Sequence, residues 1–455
     1  MQQLTGLIGF AMSPIGLFVV AAGAFAFIQA RETFWVRWVA LAGLIFAASL
    51  NRFVSEWHPF PPPFTGPIDT LVANGRSLTI LLLALCIVLP VRYDRAPLAL
   101  PAFAIGFLVA SCVIALKIFS GGSAAFALMS LVTTGLVFFL FAIIVRRWFQ
   151  TEADLDAALV SIAIAVAFFV AINVAQYVLN TAPLAVGSQR FNGTTGNPQH
   201  AAAFLGVGIP ALIYVVLTRP LLWKIAAGVI LLVAAYFLAW TGSRTGLLMT
   251  AAATLLLLRR SGVGAILVVL GVAASAIYVI LTRADEDVLQ IDRFTSLDNT
   301  RAAAWSGMWR AFSEHPFLGA PITGERLGFG ENSWLAIAAT TGFVGLIPLL
   351  VGGALVLTIA ARLFLARPPT RKAKLQGDAL GAILVCLMVG SILEAYLLAV
   401  ISASTILLLL VGITGHRRLA LNAVVAAHTP VAQRPKRGGH PLHRRPPWGR
   451  RKVGA

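Results

Sequence analysis

About thirteen long apolar runs dominate this chain, near residues 7–28, 35–50, 76–91, 98–118, 124–145, 157–180, 200–218, 225–240, 245–259, 262–282, 333–360, 379–397 and 399–414. A helix needs roughly 17–25 mostly apolar residues to cross a bilayer. Several runs are short by that measure, and twelve spans result if the first run is re-entrant. The expected fold is all-α, a polytopic transmembrane bundle of about 12–13 helices.

Composition agrees: 59% of the 455 residues are hydrophobic, 11% are charged, and mean hydropathy is +0.87. Soluble domains carry about 25% charged residues, so a soluble enzyme, a disordered chain and a fibrous repeat are excluded. The formal net charge of +18 would point to nucleic acid in a soluble protein. In a membrane protein it first reports topology, because basic residues collect in cytoplasmic loops. Cys86, Cys112 and Cys386 lie inside apolar runs and read as small core residues, with no metal or disulfide pattern. The first run has no preceding Lys or Arg and no clear cleavage site, so it reads as a retained helix.

Arg146, Arg147, Arg219, Lys224, Arg259, Arg260 and the basic stretch at 362–374 define one face, the cytoplasmic one by the positive-inside rule. Alternation then places 51–75, 181–199, 241–244 and 283–332 on the opposite face. The chain divides into N-terminal helices (1–150), central helices (151–282), a partly helical cap loop (283–332), C-terminal helices (333–415) and a tail (416–455). The cap holds eight acids and the helically spaced Trp305, Met308 and Trp309. A structureless loop of that length would be unusual. The tail is basic, lacks acids and is rich in proline and glycine, which predicts a disordered arm on an anionic inner leaflet.

Four polar motifs fall on the opposite face. In the first, Arg190 precedes a glycine-containing loop and Asn197-Pro198-Gln199-His200. Asn197 suits a helix cap and Pro198 the first helical position; Arg190 there suits an anion near a helix N-terminus. His200 follows as a supporting candidate. In the second, Arg244 lies in a tight turn between two apolar runs. A guanidinium there either snorkels to headgroups or binds phosphate. The third comprises Arg301, His315, Glu331 and Asn332 of the cap. Glu331 reads either as a dipole-stabilised cap or as a functional carboxylate. The fourth is Glu394 inside an apolar run, either catalytic or a partner for a buried arginine such as Arg244. No P-loop, dinucleotide fingerprint or His-x-x-x-His pair accompanies them.

The stretches RFNGTTGNPQHAAA (190–203), TGSRTGL (241–247), RAAAWSGMWRAFSEHPFLG (301–319) and ENSWLAIAATTGFVG (331–345), in that order around a long cap, resemble the O-antigen ligase and O-antigen polymerase superfamily. The resemblance covers roughly residues 150–415. It implies a glycosyltransferase using undecaprenyl-diphosphate-linked glycan at the periplasmic face of the inner membrane, with no cofactor and no metal ligands. The acceptor would be lipid A–core for a ligase, or a second lipid-linked glycan for a polymerase. It also implies that Arg190 and Arg244 hold the diphosphate, with Arg301 supporting the cap or a phosphate. Ligases often carry His-Asn where this chain has Glu331-Asn332. That makes Glu331 the candidate to orient or deprotonate the acceptor hydroxyl and tilts the expectation towards a polymerase or a different acceptor. Membrane lipids are the other expected partners, and nucleic acid is not one. The competing class is a flippase or other secondary transporter, whose site would lie at the bilayer midplane between broken helices.

Overall fold

The computed structural model describes residues 13–29, 34–50, 64–89, 99–179, 184, 190–260, 301–322, 331–397 and 402–428. These form fourteen α-helices and, among the described residues, no strand. They are α1 (Pro14–Gln29), α2 (Phe34–Ala47), α3 (Gly66–Ala73), α4 (Gly75–Val88), α5 (Ala102–Ser120), α6 (Ala124–Arg147), α7 (Glu152–Leu179), α8 (Pro198–Thr218), α9 (Leu221–Trp240), α10 (Arg244–Leu258), α11 (Ala302–Glu314), α12 (Ser333–Leu365), α13 (Arg371–Leu393) and α14 (Ala403–His428).

The chain is an all-α, multi-pass membrane protein. Among the described residues, eight helices are long and apolar enough to cross a bilayer; α3 and α4, which meet at 68°, form a ninth if taken together. This is fewer than the expected 12–13, for a simple reason. Three of the apolar runs yield helices below spanning length: α1, α2 and the 15-residue α10. A fourth, 262–282, lies outside the described residues.

Helix α8 is the core of the bundle, packed by α7, α9, α10 and α13. Small residues allow this close approach: Gly206 lies against Thr250 and Met249, Gly208 against Val166, and Ala202 against Gly246. The α5–α12 contact uses the same device, with Gly106 against the Pro348 carbonyl and Gly352. Cys86 and Cys386 are buried, as expected of core residues, whereas Cys112 is half-buried; all three thiols are free.

The run read as one span at 333–360 is two helical arms. Gly342 has φ 63° and ψ −155° in the middle of α12. The Trp334 ring fills the space beside Gly353, nineteen positions on; a straight helix would separate them by about 28 Å. The short arm 333–341 therefore folds back along the long arm 343–365. A break in a spanning helix frees backbone groups that need partners. The end of the cap supplies them: Ala320 N donates to Ala339 O at 2.8 Å, and Phe343 N donates to Pro316 O at 2.7 Å.

Two glycines make that docking possible. A Cβ on Gly319 (φ 72°) would overlap the Thr340–Thr341 peptide, and one on Gly342 would overlap the Pro316 and Phe317 backbone. Gly319→Ala or Gly342→Ala combines left-handed strain with a clash against backbone and is expected to cost roughly 2–5 kcal/mol. Gly122→Ala has φ 90° but open space, so it should cost about 1–2 kcal/mol. Thermal unfolding in detergent checks the order; equal losses at all three positions would remove the docking account.

The basic anchors cluster at one end of the bundle. Arg259 (2.8 Å) and Lys374 (3.2 Å) pair with Asp378, Lys372 pairs with Asp156 at 3.3 Å, and Arg418 pairs with Glu152 at 2.7 Å. Arg37 and Arg219 pair with Asp154 and Asp156. Arg418 corrects the expected tail boundary at His416. It is 1% exposed, and α14 continues to His428, because Glu152 and Gln376 give its guanidinium partners inside the bundle. Residues 429–455 lie outside the described residues.

Candidate active site

The opposite end holds the polar motifs. Helices α10 and α13 run antiparallel: Arg259 meets Asp378 at one end, and the Thr245 hydroxyl meets the Glu394 carboxylate at the other. The stretches 245–259 and 378–394 correspond to about 21 and 24 Å of helix, so the two pairings agree in height.

Arg190 is buried and its Nε donates to the Thr241 carbonyl at 2.6 Å. Gly242 (φ 58°) supplies the left-handed residue of the turn, and the Arg190 side chain lies over it at ordinary contact distance. Phe191 stacks on Phe237 at 4.3 Å, and its N–H donates to the Trp240 carbonyl at 3.1 Å. On the other side, Asn173 of α7 accepts from Thr194 N at 3.0 Å and donates to Thr194 Oγ1 at 3.2 Å. The loop after Arg190 is thus clamped between α7 and the end of α9. Motifs fifty residues apart in sequence become one surface.

Arg244 is the first residue of α10 and is exposed. Ser243 caps the helix, accepting from Gly246 N at 3.1 Å. The positive end of the helix dipole and the guanidinium therefore act on the same region. Asn197 caps α8 as expected, accepting from Gln199 N at 2.8 Å, with Pro198 as the first helical residue.

Glu394 follows α13 and is buried. Its ion-pair partner is Arg301 rather than Arg244: Arg301 Nη2 lies 2.5 Å from Glu394 Oε1, and Nη1 donates to the Leu393 carbonyl. Arg244 points instead from an exposed position while its neighbour Thr245 reaches the carboxylate. Burial pushes the Glu394 carboxyl up, opposed by the Arg301 charge and the Arg301 and Thr245 hydrogen bonds; the Glu331 charge adds to the rise. Arg301 stands at the start of α11, so this pair fixes one end of the cap helix to the bundle.

Asn332, not Glu331, caps α12: its Oδ1 accepts from Trp334 N and Leu335 N, both at 2.9 Å. Ser333, in sequence only an alternative to Asn332 as the cap, instead ties the site together. Its hydroxyl donates to the Glu394 carbonyl at 2.7 Å and accepts from Tyr396 N (3.2 Å) and Leu397 N (3.3 Å).

Glu331 is left with two unusual properties. Its φ of 80° is the one left-handed value at a non-glycine among the described residues. Its Oε2 is buried without a hydrogen-bond partner among the described residues. Strained backbone and an unsatisfied buried acceptor both cost energy and mark functional positions. The Trp305 indole N–H, on the cap helix, is a second orphaned group.

The structure does not bring every expected residue here. His315 ends α11 and is exposed, with about 20 Å of helix between it and Arg301. His200, exposed in the first turn of α8, stays at the site end of the bundle, three residues from the Asn197 cap. Among the described residues no cluster of three or more His, Cys, Asp or Glu is placed to hold a metal ion. No protein-family model matches the chain, and no curated protein sequence does either.

Proposed function

We propose that this chain is a metal-independent, inverting glycosyltransferase of the O-antigen ligase or polymerase type. It would take glycan from undecaprenyl diphosphate at the periplasmic face of the inner membrane. The observation that carries the reading is the convergence of Arg190, Arg244, the Arg301–Glu394 pair and Glu331 at the end of the bundle opposite the basic anchors. Four segments far apart in sequence supply them.

In this scheme Arg190, Arg244 and the α10 N-terminus face the diphosphate, where negative charge grows as the glycan leaves. The acceptor oxygen forms a bond to the anomeric carbon. The bond from that carbon to the diphosphate oxygen breaks, its electron pair staying on the diphosphate, and the acceptor proton passes to Glu331. Attack opposite the leaving group inverts the anomeric configuration. Arg301, neutralised by Glu394, positions the cap; Asn197, Asn332 and Ser333 hold helix starts in place. The acceptor is lipid A–core or a second lipid-linked glycan.

One feature favours the transporter reading: the broken helix α12 contributes Asn332 and Ser333 to the site, and transporters build substrate sites from broken helices. A single assay separates the classes. Purified protein in detergent, with no gradient, is expected to consume lipid-linked glycan in the presence of acceptor. Failure to do so, together with gradient-driven uptake in vesicles, would decide for transport.

A further inference from the structure

A cavity of about 300 Å³ opens at the end of the bundle away from the candidate active site. Four elements form it: Phe34 and Trp35 at the start of α2, Glu152 and Asp156 at the start of α7, Arg219 after α8, and Lys372 in α13. Its volume lies at the lower limit for small-molecule sites, enough for a compact head group.

The electrostatics select the sign of an occupant. Asp156 is buried and saturated, accepting from Arg219, Lys372 and the Tyr214 hydroxyl. Glu152 is neutralised by Arg418. Counting the lining residues with their ion-pair partners, three cations face two carboxylates, which leaves one positive charge. The α2, α7 and α13 N-termini add their dipoles in the same sense, and the single α8 C-terminus at Arg219 opposes them. One phosphodiester carries the charge that balances this.

The surroundings select the source of that phosphate. Every lining element contributes a helix terminus, so the cavity lies at headgroup depth. Close in sequence to its lining residues stand open apolar side chains: Trp35, itself lining, and Val39 on α2, and Leu221 and Leu222 two and three residues after Arg219, the latter two 71% and 80% exposed. Side chains of this kind beside a charged pocket suit acyl chains and a glycerol backbone.

We infer that this cavity binds the phosphodiester head group of one anionic phospholipid from the leaflet at the basic end, with Arg219 and Lys372 on the phosphate and Phe34 and Trp35 against the glycerol. The inference is independent of the glycosyltransferase reading.

The test uses the full chain purified in mild detergent, with phosphatidylglycerol as probe and native mass spectrometry and thermal unfolding as readouts. One phosphatidylglycerol is expected to be retained, and the unfolding temperature to rise with added lipid. Lys372→Glu should lower retention on the order of tenfold; Lys372→Gln, a milder change at a half-exposed side chain, should lower it less. Lys224→Glu, also at the basic end but outside the cavity, should leave it unchanged. Equal losses in Lys372→Glu and Lys224→Glu would reduce the effect to diffuse surface charge and overturn the site. So would unchanged retention in both Lys372 variants. Glycerol phosphate or inorganic phosphate stabilising as well as the lipid, at the same concentration, would overturn the lipid source.

Discussion

Glutamine in place of Glu331 is expected to slow glycan transfer by roughly 10²- to 10⁴-fold, the range for loss of a positioned general base. Glutamine keeps the size of the side chain and can hydrogen-bond, but it cannot take a proton. Aspartate keeps the charge one methylene short and should lose far less. The comparison is informative because the helix start is capped by Asn332, so neither variant removes the cap. Both retain the strain at φ 80°, so stability should hardly separate them. Initial rates with saturating donor and varied acceptor are the measurement. Wild-type turnover in Glu331→Gln would leave the residue without a chemical role and the scheme without its base.

Arg244→Ala is the second large effect, expected to reduce turnover by roughly 10²- to 10³-fold, as when one transition-state donor is removed. Lysine at this position should restore part of the loss, since it keeps the charge but not the fork of donors. Folding should be spared. Arg244 is exposed, Ser243 supplies the cap, and the packing of Gly246 on Ala202 is untouched. A protein that inserts, melts like the wild type and transfers glycan at full rate would remove Arg244 from the site. Loss confined to the Michaelis constant would make it a ground-state anchor for the donor.

Hydropathy made most of the bundle legible, because a spanning helix announces itself by length and lack of charge. The basic anchors, by the positive-inside rule, put Arg190, Arg244, Arg301 and Glu331 on one face, and the structure gathers them at one end. Five things were out of reach for physical reasons. Hydropathy carries no direction, so a helix that doubles back at Gly342 reads the same as one that continues. Ion-pair choice depends on where helices end: Thr245, not its neighbour Arg244, reaches Glu394, and Arg301 at the start of α11 takes the ion pair. The basic anchors stand out in the sequence while their acidic partners, Asp154, Asp156 and Asp378, do not, because a few carboxylates beside apolar runs look incidental. The facing glycines 319 and 342 were visible as motif members, but their partnership lay between strings and not within either. The same blindness hid Arg418, which reads as the start of a basic tail until its neighbours are known.

The fold-back of α12 has a consequence for how such a protein could change its acceptor. The arm 333–341 has Glu331 just before one end and the Gly319–Gly342 contact at the other. It works as a spacer of fixed length, about 13 Å at helical rise, between the surface where the cap is anchored and the level at which the carboxylate sits. Residues of the cap helix between the Arg301 anchor and the Pro316–Gly319 docking segment can therefore be exchanged without altering that depth. Inserting a single residue into the spacer would instead rotate the carboxylate by about 100° around the arm's axis. Variation in partner choice and constancy of the reacting geometry are thereby assigned to different stretches of one chain.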